Sequence, residues 1–76
     1  METFYEDYYV LQYPNQNNQF VVLDKESTGY SYKTTLKNAE KFTLSKAKEY
    51  IAVNNNKEGF IIKHVVCEFV LKTANN

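Results

Sequence analysis

The chain has 76 residues, nine basic and nine acidic side chains, and 43% hydrophobic residues. A chain of this length folds as one domain, residues 1–76, with no room for a separate cofactor domain. Its apolar content is too high for a disordered segment, and it has no run of about 18 apolar residues that could cross a membrane.

The residue types that carry chemistry are scarce. Cys67 is the single cysteine and His64 the single histidine, so neither an internal disulfide nor a cysteine-based zinc site can form. Three residues apart in a predicted strand, they lie on opposite faces and cannot pair as nucleophile and base. The sequence therefore predicts no catalytic residue, no metal and no cofactor. The acidic N-terminus lacks the pattern of a signal peptide, so we expect a cytoplasmic protein.

Three strands are predicted in the first half of the chain. Aromatic and β-branched residues dominate residues 8–13, 20–24 and 30–34, as strands prefer. Pro14 and the asparagines after it predict the first turn, and Gly29, which can take positive φ, lies in the second.

A helix is predicted in the second half of the chain. Thr43 is a suitable N-cap, and the asparagines at 54–56 end the helix. Ala39 and Phe42, three residues apart, predict one earlier helical turn. The stripe expected to face the sheet consists of Leu44, Ala47 and Ile51.

The last predicted strand covers residues 60–72 and is longer than most strands. Either a bulge bends it, or its far end pairs with something else. Its apolar residues on both faces indicate a central strand or one covered by a partner. Together the elements predict an α+β fold, with an antiparallel sheet of about four strands and one helix packed on one face, in the order β-β-β-α-β.

Seven tyrosines are the most informative excess in the composition. One interpretation is that the sheet buries their rings and leaves their hydroxyls in water. A small core cannot cover them all, however, and tyrosine is favoured at protein interfaces. The candidate partner-binding residues are Tyr5, Tyr8, Tyr9, Tyr30 and Tyr32.

A cluster of lysines offers an alternative function in nucleic-acid binding. Lysines contact phosphates and neighbouring tyrosines stack on bases. The same cluster is also typical of a solvated helix flank. Arginine, the preferred side chain for bidentate phosphate and guanine contacts, is absent, which disfavours nucleic acid as a partner. The candidate residues are Lys33, Lys37, Lys41, Lys46 and Lys48.

Residues 29–51 resemble small accessory proteins of Gram-positive bacteriophages and prophages. The residues that carry the resemblance are Gly29-Tyr30 in a hairpin, Ala39 and Phe42 before a short helix, and Ala47 with Tyr50-Ile51 within it. Some phage proteins of this size bind and inhibit host enzymes or defence systems. The resemblance implies an accessory protein that inhibits a host protein. Because the sequence predicts no catalytic residue and no membrane-spanning run, we expect this protein to be non-enzymatic and to have no membrane partner. The alternatives are a nucleic-acid-binding module and a structural homodimer formed through the C-terminal strand.

Overall fold

The computed structural model describes residues 1–23, 31–53 and 55–74 of the chain. Its strands form one antiparallel sheet in the order β3-β2-β1-β4. The predicted α+β fold, with a β-β-β-α-β order, is confirmed. The elements are β1 (Glu2–Gln12), β2 (Phe20–Leu23), β3 (Ser31–Thr34), one turn of 3-10 helix (Leu36–Asn38), α1 (Leu44–Ala52) and β4 (Ile61–Leu71).

The second and third strands lie where the sequence predicts them. Asp24 and Tyr30, which the prediction included in these strands, and the turn with Gly29 lie outside the described residues. The turn after β1 contains Asn15 in a left-handed conformation, with φ of 60°, which asparagine tolerates better than most residues.

Both faces of the sheet are covered near the C-terminal end of β1, where successive side chains point to opposite faces. The larger cluster, on the side of α1, contains Leu11, Val21, Phe42, Ala47 and Phe60. The smaller cluster, on the opposite face, contains Val10, Phe20 and Ala39.

The chain passes through the plane of the sheet between these two clusters. Glu40 N–H donates to the Val21 carbonyl at 2.9 Å, and Tyr9 and Phe42 exchange two backbone hydrogen bonds of 2.8 Å each. The predicted helical turn at Ala39 and Phe42 is therefore wrong. This segment is extended because its backbone groups bond to the part of the β1 edge that the short pairing with β2 leaves open. The 3-10 turn lies just before the segment.

The start and packing of α1 agree with the sequence at most positions. The Thr43 hydroxyl accepts a hydrogen bond from Lys46 N–H at 3.1 Å, which confirms the N-cap. Ala47 is fully buried, and Ile51 packs against the same cluster. The expected burial of Leu44 is wrong, since 38% of this residue is exposed. It is the first helical residue, and its side chain tilts toward the N-terminal end, past the margin of the core.

Asparagines end α1, as the sequence predicts. Asn55 and Asn56 have φ of 53° and 51°, and their N–H groups donate to the carbonyls of Ala52 and Ile51, respectively. This pair of hydrogen bonds is the Schellman arrangement that satisfies the last carbonyls of a helix. The Asn56 side chain also bonds both backbone groups of Phe60, at 2.9 and 3.0 Å, and so directs the chain into β4.

The two longest strands, β1 and β4, correct three expectations. β1 begins at Glu2, six residues before the predicted start, because β4 pairs with it at eleven consecutive positions from Glu2↔Leu71 to Gln12↔Ile61. That uninterrupted register leaves no bulge between these two strands. β4 is an edge strand rather than a central one, and its far end pairs with the start of the same chain.

Candidate interaction surface

The first half of β1 and the second half of β4 extend beyond both clusters as a two-stranded arm, defined here as residues 2–7 and 66–71. Six residues of antiparallel strand span about 20 Å, and all arm residues except Cys67 are exposed. The molecule measures 53 × 23 × 23 Å with a radius of gyration of 15.5 Å. A compact domain of this length has a radius of gyration of about 11 Å, so the arm makes the protein unusually elongated.

The accessible surface of the whole chain is larger than that of a compact domain of the same mass. The chain exposes 6170 Å², whereas a compact monomer of 8.9 kDa exposes about 4,800 Å². The excess of about 1,400 Å² is comparable with the total surface that a stable protein–protein interface buries.

One face of the arm, called here the phenylalanine face, carries Phe4 directly opposite Phe69, with Leu71 beside them. These residues are 52%, 48% and 52% exposed, respectively. The other face, the tyrosine face, carries Tyr5, Val66 and Val70, which are also exposed. A two-stranded ribbon is marginally stable in water by itself, and covering one such side chain contributes roughly 1.5–3 kcal/mol.

Within the part of the chain that the structure describes, backbone groups along the arm are open on both sides. Tyr9 directs its N–H and carbonyl to Phe42, away from β4. The direction of the backbone groups alternates along a strand, so residues 3, 5 and 7 of β1 also direct their N–H and carbonyl groups away from β4. By the same alternation, residues 62, 64, 66, 68 and 70 of β4 direct their backbone groups away from β1. The arm therefore presents two strand edges as well as two apolar faces.

An aromatic and charged cluster lies at the base of the arm. The Tyr9 and His64 rings stack with centroids 4.5 Å apart, and His64 Nε2 lies 2.8 Å from Asp7 Oδ2. Cys67 lies opposite Glu6, on the other face, so the histidine and the cysteine do not meet. Among the residues that the structure describes, no group of three or more His, Cys, Asp or Glu side chains is placed to hold a metal ion.

The predicted tyrosine surface is not brought together in one place. Tyr5, 70% exposed, lies on the arm, whereas Tyr32, 56% exposed, lies on β3 at the far side of the sheet. Tyr8 and Tyr9 are half-buried and pack against opposite clusters. Tyr30 lies outside the described residues.

Several lysines of the alternative surface are engaged within the molecule. Lys41 Nζ lies 3.6 Å from Glu6 Oε1 and 4.8 Å from the centroid of the Tyr8 ring. Lys46 Nζ lies 3.7 Å from Glu49 Oε2 on α1. Each of these two ammonium groups thus already faces a carboxylate, which lowers its attraction for a phosphate.

The remaining lysines lie on three different elements. Lys33 is on β3, with Nζ 5.2 Å from the Tyr13 ring centroid. Lys37 is in the 3-10 turn and Lys48 on α1, and both are exposed.

An open groove of about 430 Å³ runs beside α1. Phe42 and Tyr50 contribute apolar surface to it, and the ion-paired Lys46 and Glu49 also line it. Both aromatic rings belong to the packing of the larger cluster, so the groove is the outer margin of the core.

Of the predicted partner-binding residues only Tyr5 lies on the arm, and the sequence indicated its β4 half only as a strand covered by a partner or by a second copy. The available signal was the run of residues 65–71, which is apolar on both faces although the strand lies at an edge. Phe4 carried no such signal, since it lies in a stretch of acidic and polar residues.

Comparison with protein-family models, curated proteins and solved structures finds no match to this chain. Within the described residues, α1 and the 3-10 turn are too short to span a membrane.

Proposed function

We propose that this chain is a small non-enzymatic binding protein and that its arm docks on the protein it binds. One observation carries this proposal: a two-stranded arm, which extends beyond both clusters, exposes large apolar side chains on both faces. A concentration of such side chains at one end of the molecule marks an interaction surface rather than a random scatter.

The phenylalanine face is the proposed contact. Phe4 and Phe69 face each other across the two strands, and aromatic side chains supply much of the energy of protein interfaces. The strands are paired along their whole length, so docking orders little additional backbone and loses little conformational entropy.

The proposed partner is a host protein whose activity falls when the arm is bound. The support is the resemblance of residues 29–51 to small phage accessory proteins, some of which inhibit host enzymes or defence systems. Nucleic-acid binding is less well supported, because Lys41 and Lys46 already pair with Glu6 and Glu49.

Capture from an extract of a Gram-positive host tests the proposal, with two variants of matched chemistry. Phe4→Ser with Phe69→Ser removes both rings of the phenylalanine face. Leu36→Ser removes an apolar side chain of similar exposure, 42%, on the 3-10 turn. The captured protein is then purified and its affinity for each variant measured.

We expect the double variant to bind at least tenfold more weakly, because roughly 1.5–3 kcal/mol is lost for each buried ring and tenfold corresponds to about 1.4 kcal/mol. Leu36→Ser should bind as the parent chain does. Equal binding by all three chains would refute docking through this face. If the partner keeps its activity when it is fully occupied by this chain, the proposed inhibition is refuted, whereas the proposed binding is not.

A further inference from the structure

β4 offers a long and regular strand edge. It has eleven residues, lies at the end of the sheet and pairs with β1 without interruption. Its outward backbone groups belong to residues 62, 64, 66, 68 and 70, spaced evenly about Val66. An open edge of this kind accepts another strand.

We propose that the outer edge of β4 pairs antiparallel with β4 of a second copy, with Val66 on the two-fold axis. Residue 61 of one copy then faces residue 71 of the other, and all eleven residues of each strand are paired. Five pairs of outward residues exchange about ten backbone hydrogen bonds. The product is one continuous eight-stranded sheet with closed two-fold symmetry.

The side chains of β4 are complementary to themselves in this register. Val66 meets Val66 of the second copy, Val70 meets Ile62, and Leu71 meets Ile61. Four of these residues, Ile61, Val66, Val70 and Leu71, are exposed in the single chain. Contacts between directly opposite side chains are the unit of sheet stabilisation.

The positions of the carboxylates also favour this register. Glu68, which makes no ion pair within the described part of the chain, lies opposite His64 of the second copy. Sliding the strands by two residues pairs fewer positions and separates these groups, and centring the axis on Glu68 places two carboxylates face to face, which is destabilising.

A second copy explains the arm better than a foreign strand does. The arm of each chain comes to lie beside residues 61–66 of the other, which belong to a sheet that the two clusters support. A marginal two-stranded ribbon thereby becomes part of a larger sheet, and part of the excess surface is covered. The pairing takes place in the plane of the sheet, so the phenylalanine face stays accessible and the inference stands independently of the proposed function.

The purified chain and one edge variant test the dimer. Val66→Pro removes an N–H that points away from β1, so the β1–β4 ladder is kept and only the outer edge is blocked. In sedimentation equilibrium we expect the parent chain to approach twice 8.9 kDa as concentration rises. The proline variant should stay monomeric with an unchanged far-UV circular dichroism spectrum. A parent chain that is monomeric at millimolar concentration, or a folded Val66→Pro chain that still dimerises, would overturn the proposal.

Disulfide trapping tests the register, in a Cys67→Ser background. Val66→Cys places two thiols at a hydrogen-bonded pair with Cα atoms about 5.5 Å apart, within the range that a disulfide spans. The matched control Glu68→Cys leaves its thiols four residues apart along the strands, about 14 Å. We expect a covalent dimer only from Val66→Cys, and a covalent dimer formed as readily from Glu68→Cys would refute this register.

Hydrogen exchange of the parent chain gives a readout that needs no variant. The amides of Ile62, His64, Val66, Glu68 and Val70 should become more protected as concentration rises, because only these N–H groups lie on the outer edge. Protection that does not depend on concentration would contradict pairing with a second copy, even if Val66→Pro fails to fold.

Discussion

The substitution Ala47→Glu tests the packing of α1 most directly. Ala47 is fully buried and packs with Leu11, Val21, Phe42 and Phe60. A carboxylate at this position would lie among the apolar side chains of the larger cluster, where none of the described residues supplies a cation, and an uncompensated buried charge costs about 3–5 kcal/mol. The whole free energy of unfolding of a 76-residue domain is about 4–11 kcal/mol.

We therefore expect Ala47→Glu to lower Tm by at least about 12 °C, since each kcal/mol shifts Tm by roughly 4–8 °C in a domain of this size. Thermal and urea unfolding followed by far-UV circular dichroism measure the effect. An unchanged Tm would show that α1 does not present Ala47 to the sheet.

Leu44→Glu is the matched control on the same helix. The residue is 38% exposed, and a carboxylate in the first turn interacts favourably with the helix dipole, by about 0.3–1 kcal/mol. We expect its Tm to stay within about 4 °C of the parent chain, because the favourable interaction with the helix dipole partly cancels the loss of the partly buried leucine side chain. A loss as large as that of Ala47→Glu would restore the sequence-based stripe and refute the packing described above.

Three further predictions concern the caps and the lysines. Thr43→Ala removes the hydroxyl that accepts from the N–H of Lys46 and should lower the free energy of urea unfolding by about 1 kcal/mol. Asn56→Ala loses two side-chain hydrogen bonds and must adopt a positive φ, so the same measurement should show a loss of about 2–3 kcal/mol; a loss below that of Thr43→Ala would contradict this role. Binding to DNA or RNA at physiological salt should be weak or absent by fluorescence anisotropy, and sub-micromolar, salt-sensitive binding abolished by Lys37→Glu with Lys41→Glu would favour the nucleic-acid alternative.

The parts of the fold that depend on a few neighbouring residues could be predicted from the sequence. Thr43 before the helical stripe predicts the N-cap because its hydroxyl can reach only a nearby N–H. Ala47 is recognised as the residue facing the sheet because it is small and falls at helical spacing. The asparagines after α1 predict its end because they tolerate a left-handed backbone.

Pairing between distant segments decided the rest. Residues 2–7 contain three acidic side chains and are exposed on both faces, so no burial pattern marks them as a strand; they are one because β4 lies beside them. The apolar side chains on both faces of β4 predict a central strand, yet in the tertiary structure β4 pairs with β1 alone among the described strands and lies at the edge of the sheet. The candidate interaction surface arises from this pairing, so on β1 only Tyr5 was predicted, whereas its β4 half was visible as a strand with apolar side chains on both faces.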